Sequence, residues 1–232
     1  PDRELMLTDR LIDMQNYLAA RAREYEAAPN DNMLSRLVHA EVNGEKLTMG
    51  QLLMIAQLLL VAGNETTTTG ITSAMYMILS DPALKARLIA DPSMIPAVIE
   101  EMLRAHAPVP HQYRYTTQDT ELCGVAIPKG SVLQVSYLAG NYDKAKWECP
   151  EKFDIDRKGV RNHLAFGRGI HFCVGNQLAR MEMRVAIGRL LERLKDIRIS
   201  ENHPAPQFME HFQIHALESL HVTFTPGTRM AG

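Results

Sequence analysis

Phe166-Gly167-Arg168-Gly169-Ile170-His171-Phe172-Cys173-Val174-Gly175-Asn176-Gln177-Leu178-Ala179-Arg180 sets three glycines around one cysteine at the mouth of a helical run. Gly167 and Gly169 permit a tight turn with positive φ, which lets a bulky planar group approach the backbone. Gly175 removes side-chain bulk two residues after the sulfur. Helical periodicity holds over about 174–194, so Cys173 is expected at a helix N-terminus. There the macrodipole and unpaired N–H groups favour a thiolate, and a thiolate in that setting can ligate a metal. Arg168 and His171 flank the sulfur, where one or both would meet the acidic edge of a cofactor. The bland alternative is a small buried cysteine in a glycine-containing turn, which is what most free cysteines are.

Upstream, 139–172 is irregular and rich in Gly, Asp, Lys and Pro, long for a structureless connection and therefore expected to be functional. Residues 114–122, 125–127 and 131–137 alternate in β fashion around turns at Cys123-Gly124 and Lys129-Gly130. Asp81-Pro82 and Asp91-Pro92 start helices near 83–90 and 93–105. Thr48-x-x-Gln51 is a capping-box pattern opening a proline-free run to Ser80, which predicts one helix of about 50 Å at about 1.5 Å per residue. That run is apolar nearly all round over 52–62, which predicts passage through a core. Before it, Leu7, Leu11, Met14, Leu18 and Ala22 mark an amphipathic helix over 4–28, followed by a short helix through Leu37 and a turn at Asn43-Gly44. On the last helix Leu178, Met181, Val185, Leu190 and Leu194 define the expected apolar face, and 205–225 reads as strands.

The 232 residues are 46% apolar and 22% charged, as expected of one compact folded body. A net charge of −2 supplies no broad attraction for phosphate backbones, which argues against nucleic acid as a partner. Cys123, Cys149 and Cys173 are odd in number and form no Cys-x-x-Cys pair, which points away from zinc and dithiol chemistry and toward a reducing, cytoplasmic compartment. The longest apolar run, 52–63, is interrupted by Gln57 and too short to span a bilayer, and no signal peptide is evident. Helical rhythm starts almost at Pro1, which suggests a sequence beginning inside a larger protein.

Two more stretches carry chemistry. Ala62-Gly63-Asn64-Glu65-Thr66-Thr67 sets an acid and a hydroxyl beside a glycine in a greasy stretch. Burying Glu65 is costly, so it needs a partner, water or a proton-transfer role, and Thr66 can loosen the helix by bonding back to a carbonyl. Read alone, the hexapeptide is a threonine cluster with a salt-bridged glutamate. Glu101 and Arg104 stand at i and i+3, a pair worth about 0.2–0.5 kcal/mol on a helix surface.

These stretches, in this order, resemble the cytochrome P-450 family, whose cysteine-loop signature is Phe-Gly-x-Gly-x-His/Arg-x-Cys-x-Gly followed by Leu-Ala-Arg. The resemblance implies that Cys173 is the proximal thiolate ligand of haem b (iron protoporphyrin IX), donating electron density that favours O–O cleavage. It further implies that His171 and Arg114 contact the haem propionates and that Phe166, Gly167, Gly175 and Ala62 adjoin the macrocycle. The segment 62–67 looks like the family's oxygen-activation motif, in which Thr66 would hydrogen-bond the oxygen and Glu65 would relay protons. Glu101 and Arg104 resemble the structural Glu-x-x-Arg pair, whose third member usually comes from a Pro-Glu-Arg-Phe-like segment, here Pro150-Glu151-Lys152-Phe153. Lys152 departs from that pattern, because an ammonium cannot reproduce the planar fork of an arginine. Either the network is weaker or another residue completes it.

The implied fold is mainly α with small β-sheets: the C-terminal haem-binding half of the cytochrome P-450 fold, a long central helix plus the cysteine-ligand loop and helix. Residues 1–232 would form a single haem-binding region, with a missing N-terminal half as a further partner. Pocket walls would come from Leu58 and Leu59 on the central helix, from Val109 to Gln112 and from Ile214, a mainly apolar set that implies a hydrophobic small-molecule substrate. The implied activity is monooxygenation, with dioxygen as co-substrate. The chain has no dinucleotide Gly-x-Gly-x-x-Gly segment and no iron–sulfur cysteine pattern. Electrons from NAD(P)H would therefore arrive indirectly, through a ferredoxin or other electron donor and its reductase. Arg168, Arg180 and Arg184 are candidates for a basic docking patch, or for a plain solvated helix face. The alternatives are a truncated haem-binding or sensing module or inactive relic, a peroxide user or haem isomerase with no need of Glu65-Thr66, and a helical interaction fragment with no cofactor.

Overall fold

The computed structural model describes residues 2–227. They form two compact units, Pro1–Asn64 and Glu65–Gly232, whose boundary falls inside one continuous helix.

The first unit holds α1 (Asp2–Ala27), α2 (Met33–Val38), a hairpin of β1 (Glu41–Val42) with β2 (Glu45–Lys46), and the first half of α3 (Met49–Ser80). Asn32 caps α2, its side chain accepting the Ser35 N–H at 2.8 Å. Asn43 and Gly44, with φ of 55° and 83°, make the two-residue turn of the hairpin. The capping box of α3 is complete: the Thr48 N–H donates to Gln51 Oε1 at 2.9 Å and the Gln51 N–H to Thr48 Oγ1 at 3.3 Å. Leu18, Ala19, Ala22, Leu52 and Ala56 are buried, whereas Met54, Leu58, Leu60 and Val61 are exposed. The all-round apolar run therefore does not pass through a core of this unit, because its neighbours there cover only one face of the helix.

The second unit packs the rest of α3 with α4 (Pro82–Ala90), α5 (Ile95–Ala105), α6 (Tyr137–Asn141) and α7 (Asn176–Arg193). Asp81 caps α4 by accepting the Ala83 and Leu84 N–H groups at 2.9 and 3.0 Å. Its core joins Ala74, Met75 and Ile78 of α3, Leu84 and Leu88 of α4, Val98, Ile99 and Met102 of α5, and Met183, Ile187 and Leu191 of α7. A Cβ at Gly70 would lie 2.8 Å from Met183 Sδ, so the glycine lets α3 approach α7 closely. The buried stripe of α7 is Asn176, Met183, Ile187 and Leu191, while Leu178, Met181 and Val185 are exposed. Leu190 and Leu194 of the expected apolar face pack half-buried against the core, so periodicity holds toward the end of the helix and fails at its start, where packing selects a stripe that includes polar Asn176.

Three antiparallel strand pairs complete the unit. β3 (His111–Tyr115) pairs with β6 (Val132–Ser136), β4 (Thr120–Leu122) with β5 (Val125–Ile127), and β7 (Leu194–Ile199) with β8 (Val222–Pro226). The single strand expected over 114–122 is thus two strands in different sheets. Between them Thr116 Oγ1 donates to the Pro128 carbonyl at 2.7 Å and Asp119 accepts the Lys129 N–H at 2.7 Å, which turns the chain. In 205–225 the strand content is the start of β8 and an isolated bridge between Phe208 and Leu217. The irregular stretch before Cys173 contains α6 and 3₁₀ turns at Val160–Asn162 and Gly169–His171.

Candidate functional site

Helix α7 begins at Asn176 with Gly175 as its cap residue, so Cys173 precedes the helix instead of opening it. The loop is held by its own backbone. The Cys173 N–H donates to the Phe166 carbonyl at 2.9 Å, the Phe172 N–H to that of Gly169 at 3.0 Å, and the Gly167 N–H to that of Leu164 at 2.8 Å. Gly167 and Gly169 adopt φ of 69° and 74°, the left-handed region that glycine enters without cost from a Cβ. Cys173 is half-buried, and a Cβ on Gly175 would meet its Sγ at 4.0 Å, so the glycine keeps side-chain bulk away from the sulfur. Ile170 is 97% exposed and Val174 89%, with Phe172 also exposed, which gives the sulfur an apolar rim. His171 is exposed on the loop, and Arg114 is exposed on β3 with Nη1 donating to the Tyr113 carbonyl at 2.8 Å.

Behind the loop lies a cluster that sequence reasoning missed. Glu100 of α5 is buried and accepts from Arg180 Nε at 2.6 Å, from Arg180 Nη2 at 3.1 Å and from His163 Nε2 at 3.1 Å. Burial alone would raise its pKa, but the hydrogen bonds from His163 and Arg180 outweigh that and hold the carboxyl down at about 2. The signal available was Glu100-Glu101 inside an apolar helix, with His163 and Arg180 bracketing the cysteine loop. Arg180 is consumed in this cluster, which removes it from the expected basic docking patch.

Glu101 and Arg104 form a second cluster, both side chains fully buried. Glu101 accepts from Arg104 Nε and Nη2, each at 2.9 Å, from Arg157 Nε at 3.1 and 3.2 Å, and from the Asp154 N–H at 3.0 Å. Arg157, not Lys152, therefore supplies the third charged member. Lys152 contributes its backbone carbonyl, which accepts from Arg157 Nη2 at 2.7 Å, while its ammonium pairs with Asp154 at 3.4 Å. The family model described as Cytochrome P450 matches residues 8–221.

The chain belongs to the cytochrome P450 family. Cytochrome P450 107B1 of Saccharopolyspora erythraea is 40% identical over 190 residues, 82% of this chain and 47% of that protein. Steroid C26-monooxygenase of Mycobacterium tuberculosis is 38% identical over 219 residues, 94% of this chain and 58% of that protein. The substrate-free structure of Mycobacterium marinum cytochrome P450 CYP150A6 superimposes with a TM-score of 0.91 at 33% identity, covering 95% of this chain and 56% of that one. The chain spans about half the length of the curated relatives it matches. Its mainly helical architecture with small sheets is part of the cytochrome P450 fold. The family uses haem with dioxygen, and NAD(P)H through redox partners.

The cytochrome P450 cofactor fits the residues present. Among the described residues no three His, Cys, Asp or Glu side chains gather to hold a bare ion. A half-buried thiol beside a side-chain-free glycine, with exposed Ile170, Phe172 and Val174 on its loop, suits a metal that brings its remaining ligands in a flat macrocycle, and exposed Arg114 and His171 suit its propionates. Of the distal residues, Glu65 is exposed, not buried as its surroundings suggested, and Thr66 is half-buried. Ala62 and Leu58 are exposed and Leu59 half-buried in the first unit. In the second unit Val109 and Gln112 are half-buried and Ile214 is buried. The His215 N–H donates to the Pro108 carbonyl at 2.9 Å, which brings the Ile214 turn against the segment carrying Val109. Among the described residues no helix is long and apolar enough to cross a membrane.

Proposed function

We propose that the chain is the haem-thiolate portion of a cytochrome P450 monooxygenase, acting over 1–232 as a single haem-binding region with Cys173 as the iron ligand. The observation that carries this reading is the half-buried Cys173 on a glycine-bent loop, pinned at Phe166 and flanked by Gly175, which adds no side chain beside the sulfur. When bound, the haem supplies reductive activation of dioxygen for insertion of one oxygen atom into a substrate. The protein holds and isolates that chemistry. Cys173 would present its sulfur to the iron, Arg114 and His171 would neutralise the propionates, and Phe166, Gly167, Gly175 and Ala62 would adjoin the macrocycle. Exposed Glu65 would exchange protons with water, and Thr66 beside it would carry a hydrogen bond toward the oxygen.

Leu58 and Leu59 in the first unit, and Val109, Gln112 and Ile214 in the second, would each offer mainly apolar surface to a hydrophobic small molecule. Relatives named steroid C26-monooxygenase and erythromycin C-12 hydroxylase support that substrate class. A ferredoxin or other donor, with its reductase, would deliver electrons near exposed Arg168 and Arg184. Three free cysteines suit a reducing cytoplasm. A second reading, a haem-binding module without monooxygenase activity of its own, is favoured by the exposed apolar positions Met54, Leu58, Leu60 and Val61.

The test is the optical spectrum of the chain reconstituted with haem, reduced and exposed to carbon monoxide, beside Cys173→Ser. A strongly red-shifted Soret band that vanishes in the variant is expected. A band that is unshifted, or that ignores Cys173, refutes thiolate ligation. NAD(P)H-dependent product formation with a ferredoxin and its reductase separates the two readings.

A further inference from the structure

Both backbone groups of Cys173 trace back to one buried carboxylate on a different helix. Glu100 grips Arg180 in a two-point fork, Nε at 2.6 Å and Nη2 at 3.1 Å, leaving Arg180 Nη1 to donate to Asn176 Oδ1 at 2.8 Å. Because a guanidinium only donates, that contact fixes which way the Asn176 amide faces. Asn176 Nδ2 is thereby aimed at the Cys173 carbonyl, 2.7 Å away. The second branch runs through His163. Its Nδ1 accepts the Ala165 N–H at 3.2 Å, so the ring proton sits on Nε2 and donates to Glu100 Oε2 at 3.1 Å. The next residue, Phe166, carries the carbonyl that accepts the Cys173 N–H at 2.9 Å. Its ring packs against His163 at 5.8 Å and lies 4.5 Å from the Arg180 guanidinium.

A loop with glycines in the left-handed region at 167 and 169 has little stiffness of its own, so its geometry must be imposed from outside. A buried ion pair contributes little net stability compared with apolar packing, but it is directional. We propose that Glu100 is a positioning residue for Cys173, fixing its carbonyl through Arg180 and Asn176 and its N–H through His163 and Phe166. The consequence for the sulfur rests on Cys173 being the haem ligand; the consequence for the loop backbone does not. Groups that orient a metal ligand in this way typically matter about 10–100-fold for retention of the metal.

The experiment compares wild type with Glu100→Gln, Arg180→Lys and Asn176→Ala. Asn176→Ala leaves the buried carboxylate and its basic partners His163, Arg180 and, at 3.9 Å, Arg161 in place, so it reports on the connection even where Glu100→Gln unfolds the chain. In the haem-free chain, hydrogen exchange of 166–174 followed by mass spectrometry should accelerate about tenfold in all three variants, while amides of α4 keep their wild-type rates. In the haem-loaded chain the red-shifted carbon monoxide band should lose intensity to an unshifted one, and haem should pass to apomyoglobin at least about tenfold faster. Unchanged exchange over 166–174 in Asn176→Ala overturns the proposal even if the thiolate spectrum is present. If wild type itself gives only an unshifted band, Cys173 is not the ligand, and the exchange rates alone decide the positioning role.

Discussion

A fully buried arginine persists only where its N–H groups find acceptors and a counter-charge. Arg104 satisfies this with Glu101, with the Asn141 carbonyl at 2.9 Å and with the Pro150 carbonyl at 2.9 Å, and it lies over the rings of Tyr142 and Trp147. Arg157 adds a second cation to the same carboxylate and bonds the Glu148 and Lys152 carbonyls as well. Arg157→Ala should therefore cost about 3–5 kcal/mol in denaturant unfolding, since it breaks a buried charged cluster. Lys152→Ala should stay within about 0.5 kcal/mol, because its side chain is 70% exposed and its carbonyl survives the substitution. Equal losses would mean that the lysine ammonium matters after all. The pair Glu101–Arg104 was legible from its spacing and order in the chain. Its third member was not, because the arginine that reaches Glu101 is chosen by the path of the loop between α6 and α7.

At the scale of the element, α5 is the organiser. Glu100 and Glu101 are adjacent, and on a helix adjacent side chains point in different directions, so one serves the cysteine loop and the other the segment around Pro150. Two glycines of helix α3 should respond oppositely to substitution. Gly70→Leu should destabilise by about 1–3 kcal/mol, because Met183 already fills the space its Cβ would enter. Gly63→Ala should stabilise by about 0.5–1 kcal/mol, because nothing lies within 4 Å of the added Cβ and alanine is the better helix former. Thermal unfolding of both variants checks the contrast. The start of α3 was legible in its capping box, and the starts of α4 and the following turn in their Asp-Pro pairs. The true buried face of α7 was not, because periodicity offers more than one stripe and packing against α5 selects among them.

At the scale of the whole molecule, acid sensitivity follows from half-buried imidazoles. Burial first, then the neighbouring charges of His215 and Arg104, lower the His106 pKa from 6.5 to about 4, and burial lowers that of His215 too. A depressed folded value means that this stabilisation is complete above pH 6.5 and is lost as the pH falls toward about 4, where the unfolded chain takes up protons the folded one refuses. Denaturant unfolding at pH 7 and pH 5 should show the loss, and His106→Phe should show a smaller one; an identical drop would remove His106 as its source. By itself the sequence determined the order of the long helices, the capping box of α3 and the Asp-Pro helix starts, the glycine-bent cysteine loop and the family, because those depend on residues close together in the chain and on the spacing of motifs along it. Only the tertiary structure decided that Arg157 completes the Glu101 cluster, that half-buried Arg180 is paired with Glu100 instead of free on the surface, and that 194–199 is a strand. Each of those outcomes needs a partner distant in sequence, and the low polarity of the interior makes an ionic partner obligatory without naming which one arrives.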